Sequence, residues 1–160
     1  FVPNGNITLV AMFEVRTDVP YKVEYYMQNI DNNNYSQDIS RTQNLFGTFN
    51  TAVMVTPSEI EHFTFNESLS STTGIISADG SLVLRLSYTR NSYTVTTTVN
   101  DGNAGTSSGG GTCRYGKEIT VTATANINLG YRKLIVETKN EKQPMSVKFN
   151  DITYNTAYLN

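Results

Sequence analysis

The sequence predicts a β-dominated α+β fold, and three observations support this prediction. Among the 160 residues, 22 are Thr, which favours half-exposed positions in pleated strands, and 18 are Asn, which favours turns. Several segments alternate between apolar and polar side chains, the period that marks a strand with one buried face. The best helix signal is one short capping pattern, so we expect little helix.

Alternation places the strands of the first half of the chain. Residues 81–88 form the clearest case, because every second side chain in this segment is large and apolar. Asp79 and Gly80 come just before it, and an Asp-Gly pair predicts a tight hairpin turn. The other strands expected in this half cover residues 6–15, 21–27, 35–44 and 51–55.

A short helix is predicted to begin at Thr56. Its hydroxyl can cap the helix, Pro57 suits the first helical position, and Glu59 completes a capping box. Strand-like alternation resumes at Phe63, so the helix has room for one or two turns.

The second half of the chain repeats the strand pattern. The Tyr-x-Val sequence at Tyr21 recurs at Tyr93, 72 residues later, and a period of this length predicts a repeat. Between Asn103 and Lys117, residues 105–111 are rich in Gly and Ser and are expected to form a flexible hairpin loop. Strands are expected at residues 93–99, 117–125, 133–138, 145–149 and 152–158.

Four motifs in residues 20–91 together resemble one unit of the internalin B-type repeat, also called the Listeria–Bacteroides repeat, which is related to mucin-binding repeats. The motifs are Tyr-Lys-Val-Glu-Tyr-Tyr at 21–26, Phe-Thr-Phe-Asn at 63–66, Gly-Ile-Ile-Ser-Ala-Asp-Gly-Ser-Leu-Val-Leu at 74–84 and Tyr-Thr-Arg-Asn at 88–91. Residues 93–160 are similar to a divergent member of the same group. Residues 6–13 and 150–156 resemble the closing strand of such a unit.

The resemblance implies tandem, β-grasp-like modules, each a small mixed sheet crossed by one short helix. We therefore expect the end of a preceding repeat and a linker at 1–18, a repeat module at 19–92 and a divergent module at 93–160. A sandwich-like variant is the alternative for the last module. Because the chain opens at Phe1 without Met, we expect it to be part of a longer protein.

Composition excludes several classes of partner. The net charge is −2 and the basic residues are scattered, so no basic face for nucleic acid is expected. No stretch reaches the roughly 18 apolar residues that a membrane span needs, so we expect no membrane insertion within this segment.

The residues also predict no catalytic site, cofactor or metal. His62 is the only histidine and is expected to be a loop residue, while Cys113 is the only cysteine and is expected to be incidental. One His and one Cys do not supply the four ligands of a structural zinc site. The acidic side chains Glu59, Glu61 and Glu67 are explained by capping and by a solvated face rather than by paired carboxylate catalysis.

Two further motifs are better explained by local structure than by ligands. Residues 31–34, Asp-Asn-Asn-Asn, lack the spaced acids and central Gly of a calcium loop, so a plain turn is expected. Residues 105–111 lack the Gly-Lys-Ser/Thr ending of a phosphate-binding loop.

The resemblance implies a non-enzymatic repeat region of a bacterial surface adhesin, extracellular and wall-anchored or secreted, as in Gram-positive bacteria. Its expected role is that of a stalk or spacer whose partners are neighbouring repeats of the same chain. The alternative is a module that binds host glycans, such as mucin, or a host protein. Exposed aromatic side chains would provide that contact, and the candidates are Tyr25, Tyr26 and Tyr35.

Overall fold

The computed structural model describes residues 4–126, 135–136 and 158–159. The chain divides into two units, each discontinuous in sequence. The first unit consists of Phe1–Met27, Ser36–Ser58 and Phe65–Tyr88, and the second of Gln28–Tyr35, Glu59–Thr64 and Thr89–Asn160.

Strands dominate both units, which confirms the β-dominated prediction. The first six are β1 (Val19–Gln28), β2 (Tyr35–Gly47), β3 (Ala52–Met54), β4 (Phe63–Phe65), β5 (Thr73–Ile75) and β6 (Val83–Arg90). The others are β7 (Ser92–Val95), β8 (Gly105–Gly109), β9 (Gly111–Arg114), β10 (Val121–Ala125), β11 (Ile135–Val136) and β12 (Tyr158–Leu159). Within the described residues, the one helical element is a single 3₁₀ turn at Glu67–Leu69, and no helix is long and apolar enough to cross a membrane.

The main sheet has four strands in the order β2-β1-β6-β4. Its central strands, β1 and β6, run parallel and pair in register from Lys22–Val83 to Met27–Tyr88. A small antiparallel pair, β3 with β5, lies within the segment that connects them. The mixed character of the structure agrees with the expected fold class, whereas the β-grasp-like detail stays a prediction.

The core of the first unit is built on this parallel pair. Because side chains alternate between the two faces of a strand, Val23 and Tyr25 of β1 lie on the same face as their register partners Leu84 and Leu86 of β6. All four are buried, as is Tyr88 one step further along β6. The residues between them, such as Glu24 and Arg85, face the other side of the sheet.

A tight turn at residues 77–81 leads into β6. The Asp79 carboxylate accepts hydrogen bonds from the Ser77 hydroxyl at 2.6 Å and from the Ser81 hydroxyl at 2.8 Å. Gly80 has φ +71°, a conformation that favours glycine, as the Asp-Gly signal predicts. The tight hairpin that the Asp-Gly pair predicts does not form: β5 pairs with β3 and β6 with β1. The segments before and after the turn meet instead at an isolated antiparallel bridge between Ser71 and Arg85.

The predicted helix at Thr56 is wrong. Backbone groups on both sides of Thr56 form hydrogen bonds with residues distant in sequence. The Val55 amide donates to the Thr72 carbonyl, and the Ser58 carbonyl accepts a hydrogen bond from the Tyr88 hydroxyl. A turn closed by Ile60 and Phe63 follows at once. Nucleating so short a helix is unfavourable, and these tertiary bonds decide the conformation.

The strand predicted at residues 6–15 is also wrong for this structure. The segment belongs to no sheet in the described part of the chain, and most of its apolar side chains are exposed. The sequence has the composition of a strand, but a strand requires a partner for its backbone groups, and none of the described strands supplies one.

In the second unit, β7 pairs with β9 and β8 pairs with β10, both antiparallel. The loop predicted at residues 105–111 is therefore wrong, because β8 and the start of β9 occupy it. Glycine permits close backbone approach here: a Cβ atom added to Gly105 would lie 2.3 Å from the Thr124 carbonyl oxygen, and one on Gly109 would lie 2.3 Å from that of Thr120.

The remaining strand predictions fall near the end of the chain. β11 lies inside the strand predicted at residues 133–138, and it pairs in parallel with β12. The strand predicted at residues 145–149 lies outside the described residues. So does the strand predicted at 152–158, apart from Tyr158 in β12.

Replacing Leu86 by Ala should lower the free energy of unfolding by about 2–5 kcal/mol, because it leaves a cavity beside Tyr25 in the core. Val83→Ala is the matched control on the same strand, since Val83 is 38% exposed and its loss should cost about 0.5 kcal/mol. Urea unfolding followed by circular dichroism measures both values. Equal losses in the two variants would show that this face of β6 is not the core.

The turn at Asp79 should be sensitive to acid. Hydrogen bonds from Ser77 and then Ser81 hold the pKa of Asp79 at about 2, below its ordinary value of 3.8. The ionised turn is therefore fully stabilised above about pH 4 and loses that stabilisation as the pH falls towards 2. An NMR titration should find this low pKa, and Ser77→Ala with Ser81→Ala should return it towards 3.8. An ordinary pKa in the unmodified chain would contradict the turn geometry.

Candidate functional site

Tyr25 is a core residue of the first unit. Its side chain is only 5% exposed, and its ring stacks on Tyr88 with the centroids 6.1 Å apart and the planes 9° from parallel. Its hydroxyl accepts a hydrogen bond from Gln43 Nε2 at 3.2 Å. A ring packed in this way does not form part of an exposed aromatic surface. Tyr25 is therefore not the exposed ligand contact that the sequence analysis expects.

Tyr26 lies on the opposite face of β1 and is half-buried. The Arg85 guanidinium lies 4.8 Å from the centre of its ring, and the Tyr26 hydroxyl donates to Glu24 Oε2 at 2.9 Å. This bond to a carboxylate raises the pKa of Tyr26, because ionising the phenol would lose the donated proton. One face of the ring is therefore already occupied by a side chain of the same unit.

Tyr35 belongs to the second unit and is half-buried. Its hydroxyl and the Thr89 hydroxyl are 2.8 Å apart, and either can be the donor. Of the three candidate tyrosines, Tyr25 and Tyr26 face opposite sides of β1 and so do not share one surface.

The second unit has an aromatic cluster that the sequence analysis did not identify, consisting of His62, Phe63, Tyr93 and Tyr115. The His62 ring stacks on Tyr115 with centroids 3.8 Å apart and lies edge-on to Tyr93 at 6.0 Å. Phe63 completes the cluster with an edge contact to Tyr115. His62 has φ +64°, an uncommon backbone conformation for a residue other than glycine.

Both ring nitrogens of His62 have a partner. Nδ1 lies 3.1 Å from the Tyr93 hydroxyl, and Nε2 lies 3.4 Å from Glu61 Oε1. The His62 side chain is only 15% exposed. The hydrogen bond with Tyr93 and the stacked rings account for the orientation of the imidazole as part of the packing of the second unit.

Arg90 connects three segments of the second unit. Its Nε donates to the Gln28 carbonyl and its Nη1 to the Tyr115 carbonyl, both at 3.1 Å, and its guanidinium lies 4.6 Å from the centre of the Phe63 ring. Burial lowers the pKa of Arg90 from its ordinary value, because the charged form is partly desolvated. The planar, forked guanidinium suits this combination of two carbonyls and a ring face.

Asn91, like Arg90, connects segments of the second unit that are distant in sequence. Its side-chain oxygen accepts a hydrogen bond from the Thr64 hydroxyl at 2.7 Å, and its backbone amide donates to the His62 carbonyl. Its own carbonyl accepts from the Tyr115 amide. The Arg-Asn ending of the motif at 88–91 therefore has a structural explanation within the second unit.

The predicted turn at residues 31–34 is confirmed, and its oxygen atoms bind side-chain cations. The Asn29 amide closes the turn on the Asn34 carbonyl at 2.8 Å. The Arg114 guanidinium donates to the Asn32 carbonyl at 2.5 Å and to the Asn33 side chain, and the Lys117 ammonium pairs with Asp31. Polar turn residues thus hold β9 and the segment that follows it.

Neither family models, curated proteins nor solved structures gave a match to this chain.

Replacing Arg90 by Lys should destabilise the second unit by about 2 kcal/mol, because an ammonium does not reach both carbonyls and stack on Phe63 at once. Hydrogen exchange should then accelerate at the amides of Asn91 and Tyr115. Arg85→Lys is the matched control, because Arg85 is exposed and covers a single ring. If exchange at these two amides were unchanged in Arg90→Lys, the guanidinium would not be what connects the segments.

Proposed function

We propose that this chain is a non-enzymatic stalk module of a bacterial cell-surface protein, and that it carries mechanical tension between neighbouring repeats. The resemblance of residues 20–91 to the internalin B-type repeat supports the extracellular location and the tandem arrangement. The parallel pairing of β1 with β6 supports the mechanical role.

The direction of the two strands determines how tension acts on them. Tension along the chain pulls β1 at its first residue and β6 at its last. In a parallel pair these two points lie at opposite ends, so the strands are pulled lengthwise past each other. Evenly spaced hydrogen bonds are then loaded together instead of being opened one at a time. This arrangement favours slow unfolding under force, because forced unfolding is governed by the unfolding rate.

The hydrophobic core lies on the same strands. Sliding β1 past β6 separates the buried partners Val23 and Leu84 and the buried partners Tyr25 and Leu86. Apolar surface is then exposed to water at the same step at which the hydrogen bonds break, which raises the barrier further.

The state of the candidate tyrosines favours a stalk over a ligand-binding module. Tyr25 is buried in the core, and one face of Tyr26 is covered by Arg85. A glycan or protein ligand that stacks on Tyr26 would have to displace this guanidinium.

Single-molecule pulling tests the proposal by comparing two attachment geometries, with Cys113→Ser in both proteins to remove the native thiol. In the first, the handles are attached at Asp18→Cys and Ser92→Cys, so that the force acts along the strands. In the second, Lys22→Cys and Val83→Cys pull apart two residues that are paired at the same end of the strands. The lengthwise geometry should unfold at a clearly higher force at the same pulling speed.

Equal unfolding forces in the two geometries would contradict the mechanical role. A glycan and matrix-protein array with the chain in multivalent form tests the alternative. Specific binding that Tyr26→Ala or Tyr35→Ala abolishes, with folding retained, would favour the ligand-binding module.

A further inference from the structure

Residues 105–114, called here the shared run, pair with two different strands of the second unit. β8, the first part of the run, pairs antiparallel with β10, so that Gly105 lies opposite Ala125. β9, the last part, pairs antiparallel with β7, so that Arg114 lies opposite Ser92. The shared run therefore connects β7 to β10.

The partner changes at Gly110, the one residue between β8 and β9. Its amide donates to the Thr120 carbonyl at 3.3 Å, next to the start of β10. A Cβ atom added to Gly110 would lie 2.5 Å from the Val95 carbonyl oxygen at the end of β7. Gly110 also has φ +86°, a conformation that favours glycine. A residue without a side chain is therefore needed where the run passes from one partner to the other.

Chain order and register together determine how tension acts on these strands. Tension along the chain reaches β7 at its first residue, Ser92, and leaves β10 at its last residue, Ala125. The register places these two residues at opposite ends of the shared run. β7 and β10 are thus pulled lengthwise in opposite directions along the run, and the bonds of each pair are loaded together.

A simple hairpin would respond in the opposite way. The ends of the β7–β9 pair, Ser92 and Arg114, lie side by side, so tension between them would open the pair one bond at a time. Pairing of β8 with β10 changes this geometry, because it moves the second point of load to the far end of the shared run.

We propose that the shared run is a mechanical joint of the second unit, which transmits tension from β7 to β10 through the change of partner at Gly110. One backbone bond lengthens each pair at its loaded end. The Tyr115 amide donates to the Asn91 carbonyl at 2.8 Å, and the Asn126 amide donates to the Ala104 carbonyl at 2.7 Å. Because forced unfolding is governed by the unfolding rate, bonds that have to break together favour slow unfolding.

The use of this joint in the protein rests on the stalk role proposed above, but its test is separate. The segment between Ser92 and Asn126 lies in the second unit, so β1 is outside the loaded part of the chain. Failure of the joint would leave the shear of β1 against β6 untouched, and failure of that shear would leave the joint untouched.

Single-molecule pulling of the full chain tests the joint in two attachment geometries, with Cys113→Ser in both proteins. In the lengthwise geometry the handles are attached at Ser92→Cys and Asn126→Cys. In the peeling geometry they are attached at Ala104→Cys and Asn126→Cys, two residues that are bonded at the same end of β8 and β10. The lengthwise geometry should unfold at a several-fold higher force at the same pulling speed. Equal forces in the two geometries would overturn the proposal.

Gly110→Ala gives an independent result in the lengthwise geometry. Its Cβ would clash with the Val95 carbonyl oxygen, so the variant should lose β7 from the run and unfold at a lower force. Gly111→Ala is the matched control, because Gly111 also has a positive φ, +120°, but a Cβ there meets nothing within 4 Å. Circular dichroism verifies that both variants fold. Equal unfolding forces in the two variants would contradict a joint at Gly110.

Discussion

The parallel pairing of β1 and β6 is the constraint on which the first unit depends. Two parallel neighbours need a long crossover between them, and here the crossover carries β2, β3, β4, β5 and the turn at Asp79. The register sets Val23 beside Leu84 and Tyr25 beside Leu86, so one face of the pair becomes the core. The same register sets Glu24 and Arg85 on the opposite face, where Glu24 accepts a hydrogen bond from the Tyr26 hydroxyl and Arg85 lies over the Tyr26 ring. The core and the outer face therefore both follow from this register, and the proposed mechanical role rests on the same strand pair.

Alternation in the sequence predicts β1 and β6 well, because a strand with one buried face leaves a period of two in its residues. Prediction fails where the choice of partner decides the outcome. Residues 6–15 have strand composition but no described partner, and residues 105–111 form strands because glycine allows a neighbouring backbone to approach closely. At Thr56 a good local capping signal is overridden by hydrogen bonds from residues distant in sequence. These are tertiary effects, which local patterns do not record.

Of the candidate site, the sequence shows which residues are aromatic but not which are exposed. Tyr25 and Tyr26 are adjacent residues of the same type, but the pleat of β1 directs them to opposite faces, so Tyr25 is buried and Tyr26 is half-buried. The cluster around His62 and the role of Arg90 were missed because their partners come from three separate segments. The signal that was present is the Tyr-x-Arg-Asn motif at 88–91, in which Tyr88, Arg90 and Asn91 each make a hydrogen bond to a residue distant in sequence.

Cross-strand NMR contacts between β1 and β6 test the central claim most directly. Parallel pairing predicts contacts that advance together along both strands: Val23 with Leu84, Tyr25 with Leu86 and Met27 with Tyr88. It also predicts a hydrogen bond from the Lys22 amide to the Leu82 carbonyl, visible as a scalar coupling across the bond. Contacts that run in opposite directions, with Val23 near Tyr88 and Met27 near Leu84, would show an antiparallel pair and would contradict both the fold and the proposed mechanical role.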